Sequence, residues 1–176
     1  MTEEMDPLEA LGYALATWVY LLHVEGTQAA VEHIETSCAA VTSATNEDEG
    51  NAAGEQLVVQ IREELKGASP EAVQEFATAL YGERCRTDLG EGTREQRVHK
   101  IRKYHFVANR PWLARIWERS DSGVVAPQWI VVERVTDEVL ALDPNPWNDI
   151  DETKRYSLSD FHVLWELGGC TSIYIQ

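Results

Sequence analysis

Three thiols, five imidazoles and one polar pair on a hairpin are the groups in this chain that could do covalent chemistry. Cys38 is the thiol set among other apolar residues. A free thiol has a pKa of about 8.5 and is only a few per cent thiolate at neutral pH, so it needs a helix N-terminus or a paired base to become a nucleophile. The pair is Gln128 and Asp143. If Val135 and Glu138 flank a two-residue turn, Ile130 stands opposite Asp143, and Gln128 is the diagonal neighbour of Asp143 on the same face, about 7–8 Å away between backbones. That is a base-and-orienter spacing, but an amide has no useful basicity near neutral pH. One more residue in the turn reverses the parity.

The histidines offer no ready substitute. His99 and His105 fall on a basic helical stretch, His162 on a late helix, and His23 and His33 in the helical half; none lies in a strand pattern, and ordinary structural roles account for each. No His/Cys/Asp spacing matches a transition-metal site. The run Asp143 to Glu152 is rich in oxygen ligands, but Trp147 and Asn148 stand where an EF-hand loop needs a third ligand and a glycine. With Trp112 and Trp129, Trp147 could instead form an aromatic recognition surface. No Gly-rich phosphate loop or nucleophile elbow is present, so no cofactor and no metal are expected.

Composition narrows the partners. The 176 residues are 44% hydrophobic with six tryptophans, enough for a core, and carry a net charge of −15. That field opposes nucleic acid phosphates and anionic membranes and suits a basic protein or peptide. Leu8 to Val24 is interrupted by Glu9, Gly12 and Thr17 and reads as neither a signal peptide nor a membrane span. Cys38, Cys85 and Cys170 are odd in number and widely spaced, which argues against a disulfide framework and for a reducing, cytoplasmic setting.

The elements that must position these groups fall into two halves. Asp6-Pro7 opens a helix whose Leu8, Leu11, Leu15, Trp18, Val19 and Leu22 recur at helical spacing up to Gly26. A second pattern covers Thr27 to Thr42, with Ile34, Cys38 and Val41 on one side. Residues 43–54 read as a flexible acidic loop. Helices follow at Glu55–Lys66 and, capped by Ser69-Pro70, at Glu71–Tyr81. Gly82–Gly92 reads as loop. Thr93–His105 is helical, with Arg94, Arg97, Lys100 and Lys103 at three-residue steps as a solvated basic face. The period then changes: Pro111–Arg119, Val124–Val135 and Glu138–Leu142 read as strands, Ser157–Leu167 as a capped helix ended by Gly168-Gly169, and Ile173–Ile175 as a closing strand. Helices first and an antiparallel sheet afterwards make an α+β fold.

The order of these pieces resembles the bacteriocin-processing branch of papain-like cysteine peptidases over about residues 34–176. Glu35-Thr36-Ser37-Cys38-Ala39-Ala40 resembles the segment that opens the nucleophile helix. Asn109 to Ile116 resembles the strand before the histidine strand, Gln128-Trp129-Ile130-Val131-Val132 the histidine strand itself, and Val139 to Pro144 the strand ending in Asp-Pro. The resemblance implies a papain-like domain at 27–176 behind an N-terminal helical extension, 1–26. It also implies that Cys38, Gln128 and Asp143 hold the triad positions and Glu32 the oxyanion-hole position. The departures are specific. Gln128 replaces the histidine, Ala39 replaces a glycine, and a carboxylate at position 32 would repel an oxyanion.

Three functions follow as expectations. The first is a catalytically degenerate papain-like domain that binds a protein or peptide or regulates one. The second is an active cysteine peptidase or thiol hydrolase using Cys38, and the third an acidic immunity or inhibitor protein that binds a basic partner.

Overall fold

A computed structural model describes residues 6–88, 91–108, 110–119, 125–142 and 153–176. The chain divides into two compact units, Met1–Arg84 and Cys85–Gln176. The first is helical: α1 Pro7–Val24, α2 Glu32–Ser43, α3 Glu47–Glu64 and α4 Pro70–Tyr81, then a 3₁₀ turn, Gly82–Arg84. The second holds β1 Cys85–Asp88, α5 Arg94–Ala108, β2 Trp112–Arg119, β3 Val125–Val135, β4 Glu138–Leu142, β5 Thr153–Ser157, α6 Leu158–Leu167 and β6 Ser172–Ile175. The α+β class and its order, helices before sheet, hold.

In the first unit the helix starts are chemically marked. Asp6 accepts the Leu8 amide at 2.9 Å with Pro7 behind it, and Ser69 accepts the Ala72 amide at 3.1 Å. α1 is apolar around most of its circumference and buries Leu11, Ala14, Leu15, Ala16, Trp18, Val19 and Leu22. A helix buried on so many sides belongs inside a fold, so α1 is an integral helix of residues 1–84 rather than an extension. Two further boundaries differ from the sequence reading. Thr27–Val31 is not helical: the Thr27 amide bonds to Leu22 O and that of Ala30 to Leu80 O, which takes the chain away before α2 begins. The supposed loop at 43–54 is largely α3. Asn46 caps it by accepting the Glu49 amide at 2.9 Å, and the Glu49 carboxylate accepts the Thr45 amide and hydroxyl at 3.0 and 2.9 Å. Glu47, Asp48 and Glu49 sit in the first turn, where negative charge favours the helix.

The sheet of the second unit is antiparallel throughout, in the order β1-β6-β2-β3-β4-β5. β1 lies where a loop was expected, paired to β6. One face carries Trp112, Ala114, Ile116, Ile130, Val132, Val135, Val139 and Ala141, covered by Ile101 and Tyr104 of α5 and Phe161 and Trp165 of α6. Leu113, Val131, Ile173 and Ile175 are buried on the opposite face. Gly168-Gly169 ends α6 as expected. A Cβ on Gly168 would stand 2.2 Å from Arg115 O, so only glycine lets the helix end lie on β2.

The β3–β4 hairpin settles the parity question. Val135 pairs with Val139, which leaves three residues in the turn instead of two. A bulge between Val132 and Arg134 then shifts the register, so that Val132 meets Ala141 and Val131 meets Leu142. Below the bulge the ladder is the one a two-residue turn would have given. Asp143, the partner proposed for Gln128, lies outside the described residues, as do Pro144 to Glu152.

Candidate functional site

The four residues expected to form a site are divided between the units. Cys38 and Glu32 stand on α2 of the first, Gln128 on β3 of the second, and Asp143 outside the described residues.

Cys38 is the seventh residue of α2, well past the free amides of its first turn, with no exposed surface. It lies on the side of α2 that buries Ile34 and Ser37, and Ser37 Oγ donates to Gln60 Oε1 of α3 at 2.6 Å. Burial, aided by the charge of Glu35, pushes the Cys38 thiol up to about 12. A thiol in such a place is almost wholly protonated at neutral pH. Glu32 and Cys38 do not share a side of α2. Six residues along a helix turn through about 600°, leaving the two side chains about 120° apart. Glu32 is exposed while Cys38 is enclosed.

Gln128 is half-buried and pairs across the strands with Ile116, so it shares the face that α5 and α6 cover. Its diagonal neighbour on that face is Glu118, which sequence reasoning missed. Glu118 is a carboxylate with 23% of its side chain exposed; it accepts from Lys154 Nζ and from Tyr156 Oη, each at 3.1 Å. The β2 pattern alone gives no sign of it, because its partners lie on β5, a strand the sequence did not announce.

A second missed cluster joins α5 to α6. His162 is fully buried. Arg97 Nε donates to its Nε2 at 3.4 Å, so Nδ1 carries the proton of the neutral ring, 3.7 Å from Glu166 Oε2. Arg97 Nη2 closes the triangle on Glu166 Oε1 at 3.2 Å. Lys100 meets Asp88 at 3.4 Å. The basic stripe is therefore not one solvated face: Arg97 and Lys100 turn inward to carboxylates, while Arg94 and Lys103 stay exposed. Cys170, buried and with a left-handed φ of 56°, lies close enough to feel the charges of Arg97 and Glu166, and burial pushes its thiol up. The spacing of His162 and Glu166, one helical turn apart, was the available signal.

Among the described residues no group of three His, Cys, Asp or Glu is placed to hold a metal ion, and no helix is long and apolar enough to cross a membrane. A scan of protein-family models and searches of curated proteins and of solved structures find nothing that matches this chain.

Proposed function

We propose that the chain is a non-enzymatic protein- or peptide-binding module, of cytoplasmic setting, with Cys38 a core residue and the papain-like pattern a scaffold without its chemistry. The observation that carries this reading is the position of Cys38: mid-helix, enclosed, and with its thiol raised rather than activated. A Cys38 hydrolase needs the opposite environment. Three cysteines outside any disulfide fit a reducing compartment.

Charge supports the acidic-binder form of the same reading. Residues 1–84 hold 16 acidic and three basic side chains, a net −13, whereas residues 85–176 hold 14 and 12, a net −2. The negative potential that attracts a basic partner thus belongs to the helical unit.

The test is peptide-resolved labelling with a thiol-directed probe at neutral pH. Half-exposed Cys85 is expected to react first and Cys38 only when the protein unfolds. Loss of the base costs up to about a millionfold in a measured protease, so peptide hydrolysis should be undetectable. Rapid stoichiometric labelling of Cys38, abolished by Cys38→Ala, would sink the binding-module reading and favour the hydrolase. Gln128→His addresses the degenerate papain-like scaffold separately: a rise in Cys38 labelling supports a lost dyad, and no change counts against it.

A further inference from the structure

The start of α1 and the end of α3 leave a groove that the rest of the first unit does not fill. Leu8, Val59 and Leu65 line it with Arg62 and Glu63, around about 320 Å³. Leu8 and Val59 expose 41% and 46% of their surface there, although both are large and apolar. Gly12 helps to shape this place. A Cβ on it would come within 2.9 Å of Arg62 Cγ, so glycine lets the aliphatic stem of Arg62 lie across α1.

The rim is acidic. Glu9 follows Leu8 on α1, Glu63 lines the groove, and Glu55 lies one turn before Val59, fixed by Tyr13 Oη at 3.0 Å from both carboxylate oxygens. Glu9, Glu55 and Arg62 all act on the Tyr13 hydroxyl through their charges, Glu55 by direct contact.

We propose that this groove seats one apolar anchor of a cationic amphipathic segment from another protein, while Glu9, Glu55 and Glu63 hold the flanking Lys or Arg side chains; this rests on the binding-module reading and deepens it. The volume stands at the lower limit for a small-molecule site, about 300 Å³, but accommodates a side chain. Nucleic acid and anionic lipid would meet the −13 of this unit, and so would the first unit of a second copy. A cationic segment meets the attraction, and the exposed Leu8 and Val59 give it an apolar place to land.

The experiment is a titration of the isotopically labelled full chain by amide NMR with two peptides of about 15 residues, one Lys/Leu with helical amphipathic spacing and one Lys/Ser of equal charge. The Lys/Leu peptide should shift the amides of Leu8, Val59 and Glu63 most and bind more tightly than the Lys/Ser peptide. Val59→Gln and Glu63→Lys should each weaken it about fivefold or more, while Val163→Gln, an exposed apolar position of the second unit, should change nothing. Equal affinity for both peptides, shifts centred elsewhere, no effect of Val59→Gln, or no binding at low salt would overturn the groove. Those results with an inert Cys38 would leave the binding-module reading standing, whereas a rapidly labelled Cys38 would sink that reading whatever the peptides do.

Discussion

Cys38 and His162 show how one fact, enclosure, acts oppositely on two titratable side chains. For Cys38 it keeps the neutral thiol, and the residue contributes packing on the buried side of α2; Cys38→Ala should cost about 1–2 kcal/mol in denaturant unfolding, as small buried deletions do. For His162 burial lowers the pKa, with Arg97 and Arg94 pushing the same way and Glu166 opposing. A histidine depressed in the folded state binds its proton first in the unfolded chain. Its contribution is therefore complete above the ordinary imidazole value of about 6.5 and is lost as pH falls through that value towards the folded one. The melting temperature should drop between about pH 7.5 and 5.5, and His162→Gln, neutral throughout, should flatten that part of the profile. An unchanged slope in the variant would assign the loss to other groups. The sequence pointed to Cys38 because Glu35 to Ala40 resembles the segment that opens a papain-type nucleophile helix. It did not single out His162, whose partners come from another helix, Arg97, and from its own next turn, Glu166.

At the level of elements, caps were legible and contacts across the fold were not. Asp6-Pro7, Ser69-Pro70 and Ser157 each open a helix as read, because the capping chemistry is local. The first turns of α3 hid for a local reason too: Gly50 and Gly54 weaken its propensity by about 1 kcal/mol each relative to alanine, and three consecutive acids look like a solvated loop. What rescues the helix is the Asn46–Glu49–Thr45 cap. Asn46→Ala should thus cost about 1 kcal/mol and show as faster amide exchange over residues 47–54; unchanged exchange there would mean the cap is dispensable. The strands β1 and β5 were missed because Cys85-Arg86-Thr87-Asp88 and Thr153-Lys154-Arg155-Tyr156-Ser157 carry little apolar periodicity, being the two edges of the sheet. Cys38 and Gln128 belong to different units, a division that spacing along the chain does not carry.

For the molecule as a whole, the charge total was visible in the sequence but its uneven division emerged only with the boundary at Arg84. The helical unit carries −13 and repels itself at low ionic strength, when the screening length is about 30 Å at 0.01 M salt against about 8 Å at 0.15 M. Raising the salt over that range should increase amide protection in residues 1–84 more than in residues 85–176, read by hydrogen exchange on the intact chain. Equal gains in both units would show that the acids of the first are already balanced. The same screening should weaken its binding to any cationic segment, so the unit is expected to be steadier and less adhesive at once as salt rises.

The bulge in β3 also means that this strand has one residue to spare. From Val132 to Arg134 the strand takes two steps, through Glu133, while β4 takes one, from Ala141 to Leu140. Deleting Glu133 removes chain length without altering which residues meet across β3 and β4, whereas deleting Val131 uses up the spare residue and moves Glu133 to the place of Val132, on the face that α5 and α6 cover. Shortening by one residue is thus tolerable at one place in β3 and ruinous two residues away, and a length variant of this protein should have lost Glu133 first.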